Sequence, residues 1–224
     1  YIPVRNSAYE NNRLVIRPNG YALVDFRHLE VGTAGINITG NGKVIFRVGE
    51  TPEEALNPNE NQFEQYPLQV YELDGSTQHI QLPERALRYL YIECLGDCEI
   101  NSIMFDAAVW PVDYKMAFES SDPQQNALWK AGAATLHTSM HEFYLDGIKR
   151  DYLPWAMDAI VSSLAADYLF GDRQVTRNGL SLSLMPPDPD KSDFGIIDYP
   201  LHALIGFKHE YLRYGDLNTS LMYK

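Results

Sequence analysis

Ser120–Leu136 reads SSDPQQNALWKAGAATL, and across it the hydrophobic pattern changes from a period of about two residues to one of about 3.6. Asp122 before Pro123 is a helix start: the aspartate accepts from unpaired backbone N–H groups, and proline has no N–H to lose there. Ala127, Leu128, Ala131, Ala134 and Thr135 then give an apolar stripe that ends near Met140. Everything before about Trp110 alternates in the manner of strands. Strands in one block followed by helices in another predict two domains rather than one mixed sheet.

Upstream, Leu14–Ile16, Tyr21–Phe26, Val44–Val48, Leu68–Tyr71, Leu87–Ile92 and Ile100–Phe105 are rich in β-branched and aromatic residues. Turn chemistry separates them at Pro18-Asn19-Gly20, Gly40-Asn41-Gly42, Asp74-Gly75 and Leu95-Gly96-Asp97. Short strands with regular turns point to an antiparallel β-sandwich. Glu50–Glu64 is polar and acidic, an exposed loop with at most one helical turn. Cys94 and Cys98 stand so close in sequence that a disulfide is geometrically demanding. A reduced pair on neighbouring strand ends is the reading adopted.

Downstream, a second helix is expected from Pro154 to about Phe170, burying Ala156, Ile160, Leu164 and Tyr168 and stopping at Gly171. A third covers roughly Arg173–Leu184 and is followed by the loop MPPDPDKSD, which no helix crosses. A fourth runs from about Pro200 to Tyr214 and ends at Gly215, with Asp216 placed to cap another. The domains are drawn at 1–112 and 113–224. Loops as long as Met185–Asp198 suit a larger helical barrel better than a four-helix bundle, so the chain is read as part of a longer protein.

The chemistry concentrates in Tyr144–Asp158, YLDGIKRDYLPWAMD. It carries three carboxylates (Asp146, Asp151, Asp158), two cations (Lys149, Arg150) and one tryptophan (Trp155). With Pro154 in the first helical turn, Trp155 and Asp158 share a face. Asp151 lies beside that face on the incoming loop. A carboxylic acid, an aromatic platform and a second carboxylate thus meet where a loop enters a helix, the outline of a sugar site. Charged residues before a helix also serve simply as caps, and the same holds for Asp198-Tyr199 before Pro200. His137 and His141 stand at i and i+4 beside Glu142, a spacing that can bind a metal on one helix face. The second histidine of HExxH is missing, so ordinary hydrogen bonding is the reading and no metal or cofactor is expected.

Composition excludes some partners. The chain has 224 residues, a formal net charge of −12, 45% hydrophobic and 12% aromatic residues. Binding nucleic acid requires clustered Lys and Arg to displace counterions; the one dense basic pair, Lys149-Arg150, is enclosed by acids. No apolar run is long enough to span a membrane. No Gly-rich phosphate loop and no Gly-x-Ser-x-Gly elbow occurs.

SSDPQQNALWKAGAATL followed by FYLDGIKRDYLPWAMDA resembles the start of the catalytic domain of glycoside hydrolase family 78, the α-L-rhamnosidases. IIDYPLHALIGFKHEYLRYGD is similar to the family's following helix, and YALVDFRHLEVGTAGINI to its preceding β-sandwich. The resemblance implies a jelly-roll-like accessory domain at 1–112 and the N-terminal helices of an (α/α)6 barrel, incomplete in this chain, at 113–224. It implies an inverting exo-hydrolase that releases terminal α-L-rhamnose or a similar deoxysugar. Asp151 would be the general acid, and Asp146, Arg150, Trp155, Asp158, Asp198 and Tyr199 would bind the sugar. The family commonly has Glu where Asp151 stands. Its general base is a Glu in the later half of the barrel, so this chain alone is expected to be inactive. Asp146, Asp158 and Trp155 would raise the proton affinity of Asp151, while Arg150 and the helix terminus would lower it. The resemblance also implies an extracytoplasmic location. Two other readings stand beside it: a sugar-binding or structural relative without catalysis, and an (α/α)6 hydrolase of another sugar, such as a uronic acid.

Overall fold

The computed structural model describes residues 2–63, 65, 69–149, 152–183, 196–215 and 217. The chain divides into two compact units, Tyr1–Ala108 and Val109–Lys224. Trp110 and Val112 therefore fall in the second unit, where they pack against its core.

The first unit is an antiparallel sheet of β1 (Ile2–Glu10), β2 (Arg13–Gly49), β3 (Gln69–Gln81), β4 (Arg85–Cys94) and β5 (Cys98–Ala107). β2 is one extended run that changes direction at residues of positive φ, Asn19, Arg27 and Gly42. It receives β5 against Leu14–Ile16 and Gly32–Gly40, and β4 against Gly20–Asp25 and Val44–Gly49. Partners exchange at Gly40–Gly42. A Cβ on Gly40 would sit 2.5 Å from the Asp97 carbonyl oxygen, and Gly42 takes φ 82°, so two glycines permit the crossing. β1 was not anticipated. Its signal was Asn11-Asn12, whose φ values of 49° and 63° make the left-handed turn that joins β1 to β2.

Inward positions alternate over Ile36–Ile38 and Val44–Val48, and these residues meet Leu90 and Ile92 of β4 in one core. The cysteines correct the sequence reading, because Cys94 and Cys98 form a disulfide. They stand at the end of β4 and the start of β5, with Cα atoms 6.4 Å apart, within the range a disulfide spans. Glu50–Glu64 holds one helix, α1 (Pro52–Leu56), and a 3-10 turn at Glu60–Gln62. Thr51 caps α1 by accepting from the Glu54 N–H.

The second unit contains α2 (Pro123–Thr138), α3 (Ala156–Leu169), α4 (Gln174–Ser183) and α5 (Tyr199–Tyr214). Asp122 caps α2 as expected, its Oδ1 accepting from the Gln124 N–H at 2.9 Å. The packed face differs from expectation. Trp129, Ala133, Leu136 and Met140 meet the core, whereas Ala127, Leu128, Ala131, Ala134 and Thr135 are exposed. Alanine-rich α2 is apolar on more than one side, so a stripe alone could not choose the buried one. α3 likewise buries Ala156, Ala159, Ile160, Ser163, Ala166 and Leu169; Leu164 and Tyr168 face outward. α3 begins at Ala156 rather than Pro154: Trp155 is its N-cap, with extended φ −67°, ψ 126°.

α4 and α5 fall close to the expected spans, and Gly215 ends α5 with φ 68°. Gly206 brings α5 against its neighbours, since a Cβ there would meet Leu180 at 2.5 Å and Ile160 at 3.1 Å. A charged network joins the far ends of these helices. Arg173 donates to Glu210 at 3.2 Å, Arg213 lies 3.2 Å from Asp167, and Tyr214 donates to Asp167 at 2.7 Å. Leu68, Leu184, the loop to Phe194, Asp216 and the final stretch from Asn218 lie outside the described residues.

Candidate functional site

The segment between α2 and α3 is held in place by its backbone. Met140 and Tyr144 form an antiparallel bridge, and the Leu145 N–H donates to the Ser139 carbonyl at 2.9 Å. Tyr144 is fully buried, with its hydroxyl 3.4 Å from the Thr176 hydroxyl oxygen; burial pushes its proton affinity up. Asp146 follows directly on this anchored turn. Its Oδ1 is buried and has no hydrogen-bond partner among the described residues. An ionisable oxygen kept from water without a donor is costly, and such a cost is met when a ligand supplies the donor.

Asp146, Asp158 and Tyr199 share the wall of a cavity of about 1140 Å³ that runs between α2 and α3. Asp158 is in the first turn of α3 and Leu169 at its end, so at 1.5 Å per residue the lining extends roughly 16 Å from the carboxylates. Most of it is apolar, with Phe118, Trp129 and Val161 among its lining residues.

Electrostatics distinguishes the acids. Burial, with Asp146 adding to it, raises the proton affinity of Asp158; the Asp158 backbone N–H opposes both. Burial also pushes up the Tyr199 hydroxyl, as do Asp158, Asp198 and Asp146. The Trp155 and Tyr199 rings meet edge to face at 5.3 Å. Asp198 is the N-cap of α5, yet its side chain makes no capping bond. It lies 3.9 Å from His202 Nε2, and the His202 ring meets Tyr199 edge to face at 5.9 Å.

Of the residues singled out from the sequence, Asp146, Trp155, Asp158, Asp198 and Tyr199 are thus drawn together. Arg150 and Asp151 lie outside the described residues. His202 was missed; its signal was the i+3 and i+4 spacing from Tyr199 and Asp198. Tyr152, also missed, takes φ 55°, an uncommon conformation for an aromatic residue, two positions before Pro154. His137 bonds the Trp110 carbonyl at 2.9 Å and His141 the Thr138 carbonyl at 3.2 Å. α2 ends at Thr138, so the two histidines do not share a helix. Among the described residues no group of His, Cys, Asp and Glu is arranged to hold a metal, and no helix is long and apolar enough to cross a membrane.

No family model matches the sequence, and no curated protein matches it. Solved structures do. A rhamnosidase from Klebsiella oxytoca with rhamnose bound is 22% identical, with a TM-score of 0.80 over 92% of this chain and 46% of that one. A family-78 rhamnosidase of Bacillus sp. GL1 is 17% identical, with a TM-score of 0.75 over 99% of this chain and 24% of that one. An α-L-rhamnosidase from Aspergillus terreus is 16% identical, with a TM-score of 0.54 over 80% of this chain and 21% of that one. The chain spans less than half the length of each of these proteins. An antiparallel β unit followed by helices, matched over nearly all of its length, gives this chain the fold of one part of these rhamnosidases, a family-78 enzyme among them.

Proposed function

We propose that the chain belongs to an inverting exo-acting glycoside hydrolase that removes terminal α-L-rhamnose, or a similar deoxysugar, from glycosides. The observation that carries this reading is the Asp146 Oδ1, buried and without a partner among the described residues, at a cavity that Asp158 and Tyr199 also line, with the Trp155 ring against Tyr199. Carboxylates accept from sugar hydroxyls. An indole gives a deoxysugar ring and its methyl group a broad apolar face with few torsions to freeze.

In this reading Asp146 and Asp158 bind hydroxyls, with Arg150, Asp198 and Tyr199 contributing further contacts. Asp151 protonates the leaving oxygen while a carboxylate from the rest of the protein activates water on the opposite face of the sugar. Asp146 and Asp158 also supply the negative surroundings that would keep a nearby carboxylic acid protonated near neutral pH. The 113–224 segment is then the first part of an (α/α)6 catalytic barrel and 1–112 an accessory β-sandwich. The Cys94–Cys98 disulfide suits an oxidising, extracytoplasmic compartment.

Hydrolysis of an aryl α-L-rhamnoside by the full-length protein tests the reaction, with the anomer released first read by proton NMR. Free rhamnose of inverted configuration is expected. Asp151→Asn should abolish turnover while sparing sugar binding; undiminished turnover would remove Asp151 from the acid role. Binding of L-rhamnose with no turnover by the wild-type protein would favour a sugar-binding relative without catalysis.

A further inference from the structure

We infer that His202 is a positioning residue that sets the Trp155 ring through Tyr199. The inference rests on the reading of Asp146, Trp155, Asp158 and Tyr199 as a sugar subsite, and extends it to a residue outside the motif. Three rings stand in series, Trp155 to Tyr199 at 5.3 Å and Tyr199 to His202 at 5.9 Å, with interplanar angles of 81° and 80°. Both pairs are T-shaped, the arrangement aromatic quadrupoles favour. Trp155 is the N-cap of α3 and Tyr199 opens α5. Neither is locked by a turn of helix on its N-terminal side, so contact between rings does much of the holding.

His202 stands inside α5, one turn on, and its side chain is 30% exposed. The Asp198 carboxylate, which takes no part in capping α5, lies 3.9 Å from its Nε2. The series thus links a fixed helical position to a terminal one. Tyr199 alone among His202, Asp198 and Tyr199 lines the cavity with Asp146 and Asp158. His202 therefore acts through another residue.

The test labels the full-length protein with 5-fluorotryptophan and reads fluorine NMR. The resonance lost in Trp155→Phe identifies Trp155. In His202→Ala the Trp155 resonance is expected to move while those of Trp110 and Trp129 stay. L-Rhamnose affinity, followed on the same resonance, should weaken about three- to tenfold. His202→Phe, which keeps a ring but no titratable nitrogen, should restore both. A Trp155 resonance unmoved in folded His202→Ala overturns the inference, whatever the sugar affinity. Movement of the other tryptophan resonances as well, the mark of a general loss of packing, overturns it too. A wild-type protein that binds no L-rhamnose would instead remove the sugar reading, and the resonance would still decide whether His202 places Trp155.

Discussion

The two units solve the burial problem differently. In the β unit, residues from β2, β3, β4 and β5 converge on one large core that includes Leu14, Ile36, Phe46, Ile80, Leu90 and Ile100, beside a smaller cluster of Leu23, Ala55, Tyr89 and Tyr91. The helical unit has smaller, separate clusters, one around Tyr144 and Phe170 and another of Ile160, Leu180 and Phe207. It also leaves Leu128, Val161, Leu201 and Leu212 outward, each 60% exposed or more. A sheet whose strands keep a strict period of two has one inner face by construction. Helices rich in alanine and leucine on several sides have none until neighbours choose it. The lesson is that stability in the first unit rests in packing, and in the second depends more on particular polar and charged contacts.

Four substitutions would break or sharpen that contrast. The largest effect is expected from Phe46→Ala, since Phe46 is fully buried at the centre of the β core. A loss of about 3–5 kcal/mol is expected, read by denaturant unfolding of the β unit. A loss under about 1 kcal/mol would mean that the core is not shared among the legs. Next comes Glu210→Ala in the helical unit. Glu210 is 3% exposed and accepts from Arg173, with Arg177 3.7 Å away. Removing it leaves two cations facing each other, for about 2–3 kcal/mol once their partial exposure is discounted.

Asp158→Asn should act in the opposite direction and by less. Burial and Asp146 make the folded state bind the Asp158 proton more tightly than the unfolded chain does. The associated stability is therefore present at low pH and lost as pH rises through the folded-state value. The variant should melt higher than wild type at pH 7, and the gap should close once the pH falls below the ordinary carboxylate range. A constant gap at all pH values would assign the effect to packing. The smallest change is expected from Val161→Ser, within about 0.5 kcal/mol, since Val161 is 60% exposed. A larger loss would mean that the outward face of α3 is covered in solution.

The same contrast explains what could be read beforehand. Strand positions such as Val44–Val48 were legible because alternation names the buried face directly, whereas Leu87–Ile92 was legible from its aromatic and aliphatic content and is buried on both faces. Asp122-Pro123 and Gly215 were legible because caps and left-handed stops depend on local backbone chemistry. The inward faces of α2 and α3 were not, because Leu128, Leu164 and Tyr168 are as apolar as the residues that did turn inward. Trp155 was placed inside its helix, whereas the helix starts one residue later, since Pro154 equally suits an extended approach. Asp146, Trp155 and Asp158 were singled out from the density of Tyr144–Asp158 together with the family resemblance, and Asp198 and Tyr199 from the resemblance. His202 escaped because nothing in a lone histidine distinguishes it until Tyr199 and Trp155 stand beside it.

The most direct test of the account is the affinity of the full-length protein for L-rhamnose, measured by titration calorimetry with and without Asp146→Asn. The buried Asp146 Oδ1 lacks a donor among the described residues, and a sugar hydroxyl would satisfy it through a bond to a charged acceptor, worth about 1.5–3 kcal/mol. A measurable affinity that falls about 10- to 100-fold in the variant is expected. Equal affinity in the two proteins, or no binding by the wild type at millimolar sugar, would contradict the account.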